Sequence, residues 1–213
     1  MTTTASVPTT PTATTTVPSA ASGASRHTPP PPRPPPPPGA LPQTSSLPSA
    51  RGRVFGREMR ELWMGIRANS LTRAKPAFFP EGAYVQLKAI GDPQDDYRFR
   101  LLADYELDIG AAHARLGAHA ASAELVGVDV PESYAHWVPS GVCDNGVGYY
   151  EVPNSRVVYR EDGQVSSFGI ASMISWRGVW YVIHLGAILR TSGSGQVDDP
   201  EPGPGQAAYS GTC

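Results

Sequence analysis

One histidine and two aspartates in this chain could transfer protons. His184 lies between Ile183 and Leu185, in a segment that is apolar on both faces. Since imidazole titrates near neutral pH, His184 would act as a general base if its ring faced a cavity. If it did not, His184 would be a buried histidine with a satisfied hydrogen bond.

Asp104 and Asp108 are four residues apart in a helical pattern. Projecting together into a cavity, they would form an acid–base pair. Arg100 and Arg115 lie at helical spacing from them, so a solvated, ion-paired helix face is the alternative.

No cofactor or metal site is predicted. His113 and His119 lack the three- or four-residue spacing of paired helical ligands. We find no nucleophile-elbow, P-loop or dinucleotide-binding glycine pattern in context, and no serine with a local activation pattern. The sequence contains no recognisable catalytic constellation, which favours a non-catalytic protein.

The two cysteines, Cys143 and Cys213, allow one intramolecular disulfide. If the protein is exported, this bridge would hold the C-terminal segment against the domain. Two free thiols are the expectation for a reducing compartment.

The aromatic residues divide the chain into three parts. Seventeen of the 18 lie between Phe55 and Tyr181, whereas the first 54 residues hold 14 of the 23 prolines. Without apolar periodicity, a segment cannot offset the conformational entropy that folding costs. We therefore predict a disordered Pro/Thr/Ser-rich stalk or linker at 1–50, one α+β domain at 51–189 and a Gly/Pro-rich extension at 190–213.

Composition also limits location and partners. No run of Lys or Arg supplies a nucleic-acid footprint, and no apolar stretch approaches the 18 residues of a membrane span. The segment 29–38 holds nine prolines, which predicts a polyproline II spacer or a docking site for a proline-recognition module. Pro/Thr/Ser segments commonly follow an export anchor, so we expect an extracytoplasmic, envelope-associated domain if an upstream export signal exists, and a cytoplasmic one otherwise.

Three helical segments are predicted in the first half of the domain. Met59, Leu62, Trp63 and Ile66 form one face of a first helix. A second, short helix follows near Leu71. The third runs over about 96–116, capped by Asp95 or Asp96 and ended by Gly117, while 83–89 is ambiguous between strand and helix.

The second half predicts an antiparallel meander. Strands are expected at 126–130, 134–138, 147–152, 156–160, 165–176 and 179–189. Asn145-Gly146, Asp162-Gly163 and Arg177-Gly178 are typical of tight turns between them. Helices followed by such a meander give helices packed on one face of a curved antiparallel sheet.

The segment 77–84 reads Ala-Phe-Phe-Pro-Glu-Gly-Ala-Tyr. It resembles a segment of the nuclear-transport-factor-two-like superfamily, whose fold is the SnoaL-type cystatin-like cone. In that superfamily an aromatic-acidic turn leads from the second helix into the first strand. The order of elements over about 57–189 is similar too. The segments 137–143 and 175–185 resemble segments of an uncharacterised family of secreted or membrane-tethered proteins of high-GC Gram-positive bacteria.

The resemblance implies a cone that binds a small apolar molecule, and a sheet face that can form a homodimer. On the strand 165–176 one face is made of small residues, so that face would pack a helix or form the floor of the cone. The pocket-lining candidates are Tyr105, Gly169, Ala171, Met173 and His184. We expect a non-catalytic domain for a small ligand or an envelope protein. The alternatives are a cone-pocket isomerase, dehydratase or hydrolase that uses His184 with Asp104 or Asp108, and an assembly module.

Overall fold

Long antiparallel strands organise the domain. The structure, a computed structural model, describes residues 1–4, 10, 34–190 and 192–205, and a compact unit begins at Pro36. Its described part is α+β, with helices first and a six-stranded antiparallel sheet after them. Within the described residues, no helix is long and apolar enough to cross a membrane.

The helical half contains two long helices, α1 and α5, and three short ones between them. They are α1 (Arg53–Ala68), α2 (Leu71–Ala74), α3 (Glu81–Leu87), α4 (Pro93–Asp96) and α5 (Leu102–Leu116). A 3-10 turn, Lys75–Ala77, extends α2, and a π-helical stretch, Tyr97–Leu101, joins α4 to α5 without a break. The predicted third helix is therefore real but begins earlier than expected.

Local chemistry explains where the helices begin and end. The predicted apolar face of α1 is buried, and Asn69 ends the helix in the left-handed conformation at φ 46°. The predicted caps Asp95 and Asp96 were wrong. Asp92 caps α4 by accepting a hydrogen bond from the Asp95 N–H, because Pro93 occupies the first helical position.

The sheet is built on two 13-residue strands. The strands are β1 (Glu124–Asp129), β2 (His136–Val138), β3 (Tyr149–Glu161), β4 (Gln164–Trp176), β5 (Val179–His184) and β6 (Glu201–Pro202). The sheet order is β1-β3-β4-β5, while β2 also pairs with β3 and β6 with β4.

Two of the three predicted turns are confirmed. Asp162-Gly163 and Arg177-Gly178 each have two consecutive left-handed residues, as tight hairpins require. The Asn145-Gly146 turn was wrong: the left-handed pair is Cys143-Asp144, and the Asn145 amide instead donates to the Val142 carbonyl at 2.7 Å.

The structure also differs from the prediction in the ambiguous segment 83–89 and at several strand limits. Residues 83–87 belong to α3, so the phrase at 77–84 leads into a helix and not a strand. The break predicted at Pro153-Asn154 is absent, because the β3–β4 register continues through it without a shift. Strand β5 ends at His184 and not at 189.

The core lies between the helices and one face of the sheet. Phe78 and Phe79 enter it as a plug, with the Phe79 N–H donating to the Val182 carbonyl at 2.9 Å. Phe78 stacks on Tyr105 with 4.3 Å between ring centroids, and Phe79 packs edge-on against Trp176 at 6.0 Å. This aromatic cluster fixes α5 and the helix connections against β5.

Residues on both sides of the predicted domain pack onto it. The Trp176 indole donates to the Leu41 carbonyl at 3.2 Å, and the Gln43 amide donates to the Ser175 carbonyl at 2.8 Å. On the C-terminal side, β6 pairs with β4 through Ser166 and Ser167. The folded unit thus includes 36–50 and 192–205, beyond the predicted limits of 51 and 189.

Candidate functional site

A cavity of about 140 Å³ lies between α3, the π-helical stretch and strands β3, β4 and β5. Its walls combine apolar side chains with an unusual number of polar ones for a space of this size. The polar members are Tyr84, Lys88, Arg100, Asn145, Tyr149, Glu151, Ser172 and His184. The apolar members include Leu87, Leu101, Ile174, Ile183 and Ile188.

The loop after β2 brings Asn145 to the end of α3. Lys88 and Asn145 form an isolated antiparallel bridge. The Gly146 N–H donates to the Leu87 carbonyl and the Ala89 N–H to the Asp144 carbonyl, both at 2.7 Å. Because these bonds clamp the loop to the helix end, Lys88 and Asn145 share one wall of the cavity.

The π-helical stretch brings Arg100 to another wall. A π-helical turn carries an extra residue, and such turns are frequent at functional sites. The Arg100 guanidinium contacts both Asp96 carboxylate oxygens at 2.6 Å and donates to the Tyr84 hydroxyl at 3.1 Å. These bonds to Arg100, with that from Tyr84, hold the pKa of Asp96 below its usual range.

Ser172 contacts Glu151 and lies next to His184 in the sheet. In the sheet register Ser172 lies opposite His184, and its hydroxyl donates to Glu151 Oε1 at 2.9 Å. A β-bulge at Ile183 shifts the β4–β5 register here, so consecutive residues Ile183 and His184 both line the cavity.

Burial moves the pKa values of these two groups in opposite directions. It raises the pKa of the Glu151 carboxyl, although the Ser172 bond acts against this. Burial, aided by the positive charges of Arg100, Arg190 and Lys88, lowers the pKa of His184 to about 4. At neutral pH His184 is therefore an uncharged imidazole, and Glu151 ionises less readily than an exposed carboxyl.

The predicted partners of His184 lie elsewhere. Asp108 is 1% exposed and accepts hydrogen bonds from the Gly186 and Gln196 N–H groups, both at 2.9 Å, and from Arg190 at 2.6 Å. Asp104 pairs with the same arginine at 3.1 Å. Asp108 anchors the C-terminal segment to α5, Asp104 adds an ion pair to the same arginine, and neither aspartate lines the cavity.

Of the five predicted lining residues, His184 alone is in this cavity wall. Tyr105 is buried in the aromatic core and donates to the Ala74 carbonyl at 3.1 Å. On the small-residue face, a side chain at Gly169 would collide with Asp198 of the C-terminal segment. Ala171 is half-buried, with its N–H on the Leu185 carbonyl at 3.2 Å, and Met173 is fully buried.

Sequence reasoning missed the cavity residues Lys88, Arg100, Asn145 and Glu151. Two local features could have found some of them. Lys88 is one of only two lysines, and Glu151 interrupts a run typical of a buried strand. Arg100 and Asn145 carry no such feature, because their positions depend on the π-helical stretch and on the loop clamp.

Nothing in the described residues forms a metal centre, since no three His, Cys, Asp or Glu side chains lie together there. The Cys143–Cys213 disulfide stays a prediction, because Cys213 lies outside the described residues. The first half of the proline run at 29–38, residues 29–33, likewise lies outside them.

Comparisons with protein-family models, with curated proteins and with solved structures gave no match to this chain. The resemblance to the cystatin-like cone therefore stays a prediction.

Proposed function

We propose that this protein is a ligand-binding domain whose site is the cavity between α3 and strands β3 to β5, and that its fold is a cystatin-like cone. The observation that carries the proposal is a cavity of about 140 Å³ with Glu151 and Asn145 buried in its wall. Buried polar groups cost free energy unless they are paired, so a protein that keeps several around a space gains by filling it with a polar molecule. The polar lining favours a polar ligand over the apolar one that the resemblance implies.

The test exploits two adjacent residues at the cavity. Ile188 lines the cavity and is 44% exposed, whereas Leu189 is 88% exposed and lies outside the lining. Ile188→Trp should fill the space, and Leu189→Trp should leave it open. Both sites are on the surface, so both variants should fold.

A library of small polar and apolar compounds would be screened by ligand-detected NMR against the full chain. We expect compounds that bind the wild type and Leu189→Trp but not Ile188→Trp. Binding that survives in Ile188→Trp would place the site elsewhere. No binding by any compound would contradict the proposal.

We further propose that the domain is extracytoplasmic and is held at the cell envelope by its Pro/Thr/Ser-rich segment. The support is the proline-dense composition of the first 54 residues and the pair of cysteines. Thiol titration of the native protein tests it, because export predicts no reactive thiol. Two reactive thiols would contradict an oxidising location.

Proton-transfer catalysis is a second candidate, favoured by the Glu151–Ser172–His184 group. A carboxylate with a raised pKa is a stronger base than an exposed one, and a neutral imidazole can donate to a carbonyl oxygen. Glu151 would take a proton from carbon next to a carbonyl, and return of a solvent deuteron to that carbon would complete an exchange. Exchange of acetone and pyruvate protons in D₂O, followed by NMR, should require Glu151. Equal exchange by wild type and Glu151→Gln would exclude this role.

A further inference from the structure

Lys88 supplies the cavity with a positive charge that the protein leaves available. Its ammonium donates to the Cys143 carbonyl at 2.8 Å, which uses one of three N–H groups. Burial lowers the pKa of Lys88, while Asp144, Asp96 and Glu151 act against this by favouring the charged form. Within the described residues, none of these three carboxylates forms an ion pair with the Lys88 ammonium. An anionic group in the cavity would therefore find an unpaired ammonium.

Arg100 differs from Lys88 in this respect. Its guanidinium is already neutralised by Asp96 on both carboxylate oxygens. Arg100 therefore shapes the cavity wall and adds a positive field at a distance, but it does not offer a free site for an anion. The charge that selects a ligand is that of Lys88.

Two residues of the cavity wall, Asn145 and Glu151, each have a buried side-chain oxygen without a donor among the described residues. Asn145 is 2% exposed, and its amide nitrogen donates to the Val142 carbonyl at 2.7 Å and to the Tyr149 hydroxyl at 3.3 Å. These two acceptors fix the amide orientation, and Asn145 Oδ1 then receives no donor from the described residues. Glu151 Oε2 is likewise buried without a donor, while Oε1 is satisfied by Ser172. Orphaned acceptors in a native site call for a donor from a bound molecule.

We infer that the cavity takes a small hydroxy- or amino-carboxylate, with its carboxylate on Lys88 and its hydroxyl or amino protons on Asn145 and Glu151. Lys88 and Asn145 are backbone bridge partners and both line the cavity, so a ligand can contact both from one side of it. That arrangement suits a ligand whose donor is on the carbon next to the carboxylate. A space of about 140 Å³ holds roughly five water-sized groups, which is the size of the smallest such acids.

This inference rests on the proposed function, since it names the ligand class of the same cavity. The probes are lactate, alanine, propionate and 1,2-propanediol, each titrated calorimetrically into the full chain. Lactate and alanine carry both groups, propionate lacks the donor, and propanediol lacks the carboxylate. We expect lactate or alanine to bind at least about tenfold more tightly than the other two, because a site built for a hydrogen bond rejects analogues that lack it.

The two lysines of the chain give a matched control. Lys88→Met should remove the preference for carboxylates, and Lys88→Arg should retain it. Lys75→Met should change nothing, because Lys75 lies outside the cavity wall. Circular dichroism establishes folding, and the charge-retaining Lys88→Arg keeps the test decisive if Lys88→Met unfolds.

The outcomes separate the ligand class from the cavity itself. Equal binding of propionate and lactate would overturn the role of the two acceptors. Binding of propanediol without binding of lactate, alanine or propionate would overturn the ligand class and leave the proposed function standing. If no probe bound to the wild type, and Ile188→Trp gave the same titrations as the wild type, both the ligand class and the proposed function would be overturned.

Discussion

At the residue scale, burial decides what each acidic group does. Asp108 and Asp104 follow the same helical pattern and contact the same arginine, yet their environments differ. Asp108 is almost fully buried and accepts two backbone N–H bonds, whereas the Asp104 side chain is 25% exposed. The same residue type thus forms an anchor in one place and a surface ion pair in the other.

Asp108→Asn should destabilise the protein much more than Asp104→Asn. An amide at position 108 removes the charge that balances Arg190 and points N–H groups at N–H donors. We expect Asp108→Asn to lower the free energy of unfolding by about 3 kcal/mol, and Asp104→Asn by less than about 1 kcal/mol. Urea denaturation of the two variants measures this. Equal losses would contradict the anchoring role.

Glu58 is a buried carboxyl whose titration should lower the stability of the protein as pH rises. It is 4% exposed, and its Oε2 has no partner among the described residues. Burial raises its pKa from 4.5 to about 7, although nearby Arg57 opposes this. The folded state therefore keeps the proton between these values, so this stability is complete below pH 4.5 and is lost as pH rises through 7.

Glu58→Gln should remove that loss. We expect the variant to be more stable than the wild type at pH 8 by on the order of 2 kcal/mol, with the difference shrinking toward pH 5. Thermal and urea unfolding at both pH values measure it. Glu106→Gln, at an exposed site on α5, serves as the control. A difference that did not change with pH would show that Glu58 is not the titrating group.

At the element scale, patterns that depend on neighbours in the chain were predictable. The apolar face of α1, the two hairpin turns around β4 and the long strand β4 follow from spacing and from turn residues. The site was harder to predict from the sequence, because a backbone bridge, a loop clamp and a strand register bring Lys88, Asn145 and Glu151 to one cavity. His184 was predicted because it stands out within an apolar strand, but Glu151, which lines the same cavity, lies on another strand, 33 positions earlier in the chain.

Strand β3 shows why one predicted break did not occur. Pro153 and Asn154 are typical of a turn, but the flanking pairs with β4 keep one register across them. Asn154 is accommodated in the left-handed conformation at φ 52°, which asparagine tolerates better than most residues. Long-range pairing on both sides outweighs the local preference.

Substitution of Asn154 should reveal this conformation. We expect Asn154→Val to cost about 1–2 kcal/mol, because a β-branched residue resists positive φ. Asn154→Gly should stay close to the wild type. The control is Arg160→Val, at an exposed position of the same strand. If Asn154→Val and Arg160→Val were equally stable by urea denaturation, the strain argument would fail.

At the scale of the whole molecule, segments of low apolar content complete the fold by hydrogen bonding. Residues 41–43 satisfy the Trp176 indole, the Ser175 carbonyl and the Arg177 N–H. Arg190 and Gln196 donate hydrogen bonds to Asp108. Composition placed both segments outside the domain because it detects apolar burial and not backbone carbonyls or amides used as partners.

Two truncations from the N-terminus should therefore differ in their effect on stability. Residues 36–213 should unfold at the same urea concentration as the full chain, because the compact unit begins at Pro36. Residues 51–213 should lose about 2–4 kcal/mol, since the buried Trp176 indole and the Ser175 carbonyl lose their partners. Tryptophan fluorescence during unfolding follows both changes. Gln43→Ala in the full chain should reproduce part of the loss, and equal stability of the two truncations would restore the boundary at residue 51.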